Sequence, residues 1–207
     1  MAGGTVIRTI PAPNTAIHGL TFDGRHLWCS DITVGTIYQV DIETSTTIRS
    51  FPAPAKSPRG LAFDGRCLYV VNYTDKDIYQ VDPATGTIIR TVAARVNKLT
   101  GLTFDGRCLW YQDTTLESII QLDMSGTDIR SFAAPKTGMH GLTFDGRTLW
   151  ALDSTSTRLI FQIDPETGTA IRSFQHPDVN DRGLAFDDRT VWTADNGTQR
   201  LVQMQVA

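Results

Sequence analysis

Gly19-Leu20-Thr21-Phe22-Asp23-Gly24-Arg25-His26-Leu27-Trp28 is a ten-residue phrase that recurs, with small changes, from Gly60, Gly101, Gly141 and Gly183. Successive copies begin 40 to 42 residues apart, a period that belongs to four-stranded propeller blades and not to helical or leucine-rich solenoids. Within one copy, Leu20 and Phe22 alternate with Thr21 as in a strand. Asp23-Gly24-Arg25 then reads as a hairpin turn, glycine supplying a positive φ and aspartate an acceptor for nearby backbone N–H groups. Asp188 takes the glycine's place in the fifth copy, at some conformational cost.

His26 to Asp31 reads as a second strand and Gly35 to Asp41 as a third. Turns such as Asp82-Pro83-Ala84-Thr85-Gly86 follow the third strand, and a fourth, Thr46 to Phe51, is ended by proline. Five repeats of this kind need twenty strands, yet the last repeat stops after its third strand, Leu201 to Val206. The N-terminus supplies the missing one, because Val6-Ile7-Arg8-Thr9-Ile10-Pro11 copies Thr47-Ile48-Arg49-Ser50-Phe51-Pro52. The expected fold is therefore all-β: one five-bladed β-propeller over residues 1–207, four antiparallel strands per blade, with residues 4–10 closing the fifth blade.

The 207 residues are 41 % hydrophobic and 20 % charged, with a formal net charge of −3. These values suit a globular chain, and no basic stripe invites nucleic acid or a membrane surface. No run of 18 apolar residues and no apolar leader is present, so the expectation is a cytoplasmic monomer, or a secreted one if a leader precedes this sequence. Cys29, Cys67 and Cys108 share no C-x-x-C spacing and read as inert strand residues.

Gly-Leu, Asp-Gly, Leu-Trp and Asp-Pro-x-Thr-Gly occur here in the order of the streptogramin-lyase, NHL and YVTN group of propellers, which the chain resembles over nearly its whole length. Those relatives mostly have six or seven blades against five here. The resemblance implies a propeller scaffold and, through the lyases, histidines near the channel acting with a divalent ion. Five-bladed glutamine cyclotransferases and tachylectin-type lectins share the blade count, but their distinctive segments are not found in this sequence.

Residues kept in every blade are most simply explained by what every blade must do. Trp28, Tyr69, Trp110, Trp150 and Trp192 are expected to pack between blades, with Phe22, Phe63, Phe104, Phe144 and Phe186 beside them. Gln39, Gln80, Gln121, Gln162 and Gln203 form a second set, read as inter-blade hydrogen bonding. Arg8, Arg49, Arg90, Arg130 and Arg172 form a third, read as partners of the turn aspartates.

Individuality begins one residue before each Gly-Leu, at His18, Arg59, Thr100, His140 and Arg182, and at the end of each second strand, at Asp31, Asn72, Asp113, Asp153 and Asp195. With Gly24-Arg25 as the hairpin loop, Phe22 faces Leu27 and His18 falls opposite Asp31, so the ten residues are expected to ring one channel mouth. Asp31, Asp113, Asp153 and Asp195, with Asn72, offer oxygens to a divalent cation such as Ca²⁺ or Mg²⁺. Alternatively, His18 and His140 act as general bases while Arg59 and Arg182 hold an anionic substrate. Thr100, Asn72, Tyr73 and Tyr111 complete the candidate ligand contacts near that rim. A third expectation is mutual neutralisation, the His–Asp and Arg–Asp pairs simply knitting the mouth shut. The loops above it, among them Val96-Asn97-Lys98 and His176 to Asp181, are too short to form a lid.

Three functions follow: a propeller that binds a small-molecule, carbohydrate or protein ligand at the His/Arg/Asp ring, a metal-assisted lyase or hydrolase centred on His18 and His140, or a multivalent lectin using the fivefold grooves. No phosphate loop, H-E-x-x-H, G-x-S-x-G or clustered Cys/His site is present.

Overall fold

Each blade is a meander of four strands whose innermost member lines a central axis, and five blades close into a ring. The structure is a computed structural model that describes residues 4–94, 98–178 and 180–206. Strand β1 (Val6–Pro11) precedes the first blade, which comprises β2 (Ile17–Phe22), β3 (His26–Asp31), β4 (Thr36–Asp41) and β5 (Thr46–Pro52). The second blade is β6 (Pro58–Phe63), β7 (Leu68–Asn72), β8 (Asp77–Val81) and β9 (Ile88–Ala93). The third is β10 (Leu99–Phe104), β11 (Leu109–Asp113), β12 (Ser118–Leu122) and β13 (Asp128–Ala133). The fourth is β14 (Met139–Phe144), β15 (Leu149–Asp153), β16 (Leu159–Ile163) and β17 (Ala170–Gln175). The fifth contains β18 (Asp181–Phe186), β19 (Thr190–Asp195) and β20 (Arg200–Gln205), and β1 completes it by pairing antiparallel with β20.

The ring closes in the register the repeat demands, with Ile10 opposite Leu201 and Pro11 opposite Arg200. Closure matters because an unpaired strand edge at the seam would expose a row of backbone donors and acceptors.

The hydrophobic core lies between blades. One cluster joins Trp28, Ile37 and Phe51 of the first blade to Leu61, Leu68, Val70 and Val81 of the second, and equivalent clusters fill the other four seams. All five blade aromatics at the tryptophan position are buried, as expected. Their polar atoms are satisfied by the turn aspartate of their own blade: Trp28 Nε1 donates to Asp23 Oδ2 at 2.8 Å, and Tyr69 Oη donates to Asp64 Oδ2 at 2.9 Å. Asp23 also accepts from the backbone N–H groups of Arg25 and His26 through Oδ1, so one carboxylate both shapes the hairpin and anchors the core indole. These bonds hold Asp23, Asp145 and Asp187 below the usual carboxylate range, outweighing the desolvation that pushes the other way.

Two expectations about the repeated polar residues change. The glutamines bond chiefly within their own blade, as Gln39 Nε2 does to Asp23 Oδ2 at 2.8 Å. The arginines reach the glutamines in place of the turn aspartates: Arg8, Arg90 and Arg172 donate from Nε to Gln203, Gln80 and Gln162 at 2.8, 2.6 and 2.6 Å. Inter-blade contact falls to the guanidinium tips, with Arg8 on Glu43 at 3.2 Å and Arg130 on Glu166 at 2.7 Å.

The glycine of each Gly-Leu sits where neighbouring inner strands come closest. A Cβ on Gly19 would lie 1.7 Å from the carbonyl oxygen of Arg59, and one on Gly60 would lie 2.5 Å from the Leu102 nitrogen. The five glycines and their leucines, capped by His18 and His140, thus form a waist that leaves no room for a water molecule. Below it the channel reopens into a cup of about 270 Å³ edged by Phe22, Phe63, Phe104, Phe144 and Phe186.

Candidate functional site

The variable residues do not pair across the inner hairpin as their spacing suggests. Phe22 does face Leu27, but a bulge between Ile17 and Gly19 takes His18 out of the ladder and sets Ile17 opposite Asp31. The same irregularity recurs in every blade, with Pro58 opposite Asn72, Leu99 opposite Asp113, Met139 opposite Asp153 and Asp181 opposite Asp195. An extra residue on one strand bends it and re-aims the side chain at the bulge. The inner strand thereby sends its bulged residue toward the axis, while the residue beside it goes to the opposite face and packs into the blade.

The ten-residue ring therefore separates into two groups. Asp31, Asp113, Asp153 and Asp195 are buried and cap the turns that follow their own strands: Asp31 Oδ1 accepts from Thr33 N at 2.7 Å, Asp113 Oδ1 from Thr115 N at 2.6 Å, Asp153 Oδ1 from Thr155 N at 2.7 Å and Asp195 Oδ1 from Gly197 N at 2.8 Å. Asn72 plays a similar part, its Nδ2 donating to Thr74 and Asp75. The structure does not gather these residues into a cation site, and among the described residues no group of three or more His, Cys, Asp or Glu could hold a metal ion. Nor do the histidines and arginines pair with these aspartates, so the mouth is not neutralised in the expected way.

His18, Arg59, His140 and Arg182 are the group that comes together. Arg59 Nη1 stands 3.1 Å from His18 Nδ1, and its guanidinium lies over the Tyr73 ring, 4.0 Å from the centroid. Because a guanidinium only donates, Nδ1 of His18 accepts, which places the imidazole proton on Nε2 and leaves that N–H as a further donor. Arg182 Nη1 touches only carbonyl oxygens, of Asp181 at 3.2 Å and of Ser154 at 3.5 Å. Neither Arg59 nor Arg182 has a carboxylate within ion-pair distance among the described residues. Arg59 Nε is buried with no hydrogen-bond partner among them.

Burial, then the charges of Arg59, Arg182 and His140, lowers His18 to about 3. Burial, Arg182 and Arg59 lower His140 to about 4, against a small opposing pull from Asp153. Both imidazoles are therefore neutral at physiological pH, and the mouth carries two positive charges with no carboxylate paired to them among the described residues.

The remaining candidates divide. Tyr73 belongs to the mouth through Arg59. Thr100 is buried, and its hydroxyl is directed to the Met139 carbonyl oxygen of the next blade at 3.3 Å. Tyr111 lies away from the rim, fully buried in the seam between the second and third blades, 3.5 Å from Asp128 Oδ1. Cys29, Cys67 and Cys108 are buried free thiols, and desolvation pushes Cys29 and Cys108 up, away from reactivity. Val96, Asn97 and Val179 of the expected short loops lie outside the described residues.

Spacing alone did not reveal one further pair. His176, in the connection between the fourth and fifth blades, and Asp181, at the start of β18, are both fully buried, with Nδ1 and Oδ2 2.9 Å apart. His176 Nε2 donates to the Asp153 carbonyl oxygen at 2.9 Å, and Thr193 Oγ1 donates to Asp181 Oδ2 at 3.0 Å. The signal was faint: a histidine and an aspartate five positions apart in a loop read only as too short to form a lid.

No family profile matches the chain, and no curated protein sequence matches it either. Among solved structures, the chain is similar to the glutaminyl cyclase of Myxococcus xanthus, with a TM-score of 0.84 and 19 % identity over 99 % of this chain and 98 % of that one. It is also similar to virginiamycin B lyase from Staphylococcus aureus, with a TM-score of 0.57, 18 % identity and coverage of 96 % and 69 %. Hydrazine synthase of Kuenenia stuttgartiensis aligns at a TM-score of 0.56 and 20 % identity, over 89 % of this chain and 56 % of that one. At these identities the likeness shows the propeller fold and goes no further.

Proposed function

We propose that this propeller binds a small anion, of carboxylate, sulfate or phosphate type, at the mouth formed by His18, Arg59, His140 and Arg182. The observation that carries the reading is the pair of guanidiniums without a carboxylate partner among the described residues. A half-buried charge of this kind is costly unless something of opposite sign completes it, and planar guanidiniums match the oxygen geometry of such anions. The Nε2–H of His18 adds a neutral donor beside Arg59. Because the waist below admits no water, the ligand rests on the mouth and does not pass through the channel.

Binding is better supported than the alternative of a lyase or hydrolase using His18 and His140. Imidazoles lowered to about 3 and about 4 are weak general bases near neutral pH. Arginyl charge near a substrate would aid either role, so the separating property is basicity.

Isothermal titration with succinate, glutamate, sulfate and phosphate tests the proposal. At least one of them should bind with a single site, weaken with added salt, and lose affinity by about tenfold or more in the Arg59→Gln/Arg182→Gln variant. Absence of binding by all four, or equal affinity in that variant, overturns it.

A further inference from the structure

Beyond the waist, at the end of the channel opposite the mouth, lies the cup edged by the five phenylalanines. The hairpin turns around it repeat from blade to blade with one exception. Four of them read Asp-Gly-Arg, so that carboxylate and guanidinium balance, whereas the fifth reads Asp187-Asp188-Arg189 and carries a carboxylate in excess. The turn aspartates that all blades share are already engaged, each accepting from the tryptophan or tyrosine of its own blade. Asp188 is not: its carboxylate makes no hydrogen bond or ion pair among the described residues.

Position and exposure give that carboxylate access to the cup. Asp188 lines it together with Gly24 and Gly65, which hold the same place in the first and second turns. A Cβ on either glycine would meet nothing within 4 Å, so a side chain at this place projects into open space and not into the fold. Asp188 is exposed and the phenylalanines are half-buried, so a molecule in the cup can touch both. The aspartate also holds φ at 70°, a conformation that glycine adopts without strain, and among the described residues no polar contact of its side chain offsets the cost.

We infer that the cup is a binding site for a small organic ammonium ion, held between the phenylalanine rings and the Asp188 carboxylate. A space of about 270 Å³ accommodates an alkylammonium of a few carbons. Aromatic rings attract a cation through their quadrupoles and cover its alkyl groups, while Asp188 supplies the opposite charge. A metal ion fits less well, because a hard cation needs several oxygen ligands and the cup offers one free carboxylate among the described residues. That same carboxylate disfavours an anion. The site shares no residue with the mouth, and the closed waist separates the two.

Chemical-shift titrations with choline and n-butylammonium test this, beside the neutral isostere of choline in which a carbon atom replaces the nitrogen. At least one of the two ammonium ions should bind at a single site and weaken with added salt, and the isostere should bind at least about tenfold more weakly. Asp188→Asn, which keeps the left-handed backbone accessible, should lower the affinity by about tenfold or more. In an Asp188→Gly chain, Gly65→Asp returns a carboxylate to the cup from the second blade and should restore binding. Arg59→Gln/Arg182→Gln should leave ammonium binding unchanged, which separates this inference from the reading of the mouth. No binding of either ammonium ion, equal affinity for the isostere, undiminished affinity in Asp188→Asn, or no recovery with Gly65→Asp overturns the inference.

Discussion

His176 and Asp181 meet with their side chains wholly buried, Nδ1 to Oδ2 at 2.9 Å, where the connection from the fourth blade enters β18. The imidazole is held on its other side by the Asp153 carbonyl oxygen, and the carboxylate by Thr193, so the pair ties β15, β18 and β19 together. Removing one partner leaves the other polar and buried. His176→Ala should therefore lose about 3–5 kcal/mol in urea unfolding. The apolar replacement of both, His176→Phe/Asp181→Leu, should lose clearly less than the sum of the two single changes, and an additive result would remove the pair from the account of stability.

Acid should destabilise the fold through the mouth. His18 and His140 are lowered in the folded state, to about 3 and about 4, from 6.5 in the free side chain, so the unfolded chain binds protons that the folded one refuses. Their contribution is intact above pH 6.5 and is lost as pH falls toward those values, by up to about 1.4 kcal/mol per pH unit for each imidazole. Unfolding free energies measured between about pH 7 and pH 4 should fall more steeply for the native chain than for His18→Gln/His140→Gln. Parallel curves would contradict the burial of these side chains.

The waist makes a sharp contrast between glycines of one phrase. Gly19→Ala drives a Cβ to 1.7 Å from the Arg59 carbonyl oxygen and should cost about 3 kcal/mol or more. Gly24, at φ 92° and with nothing within 4 Å of where a Cβ would stand, needs only its left-handed backbone, and Gly24→Ala should cost about 1 kcal/mol. Thermal melts of the two variants would rank them.

Asp188 occupies the place of that turn glycine in the fifth blade and holds φ at 70°. Asp188→Gly should relieve the strain and raise stability by up to about 1 kcal/mol, a change readable in the denaturant midpoint. A destabilised variant would mean that the aspartate side chain makes a compensating contact.

Deleting residues 1–11 removes β1 and leaves β20 as an open edge at the seam. The truncated chain should unfold at lower denaturant concentration and self-associate, as seen by light scattering. A monomer of unchanged stability would overturn the role of β1 in closing the ring.

Repetition made the scaffold readable. The phrase beginning at Gly19 disclosed the blade count, the strand order, the hairpin at Gly24-Arg25 and the borrowed strand Val6–Pro11, because every blade must satisfy the same backbone and the same seam. It also separated His18, Arg59, His140 and Arg182 from the scaffold. It did not show that Trp28 and Gln39 share the Asp23 carboxylate, since all three positions recur in every blade and a period alone does not say which of them touch.

The sequence by itself determined a closed ring of five four-stranded blades, through a period and a turn chemistry that are local properties of the chain. Only the tertiary structure decided which variable residues meet. Alternation alone sets His18 against Asp31, but the bulge at each inner strand inserts one residue, and a single-residue shift reverses the face a side chain occupies. That shift sends the aspartates into the turns of their own blades and leaves two guanidiniums and two neutral imidazoles facing one another across the axis.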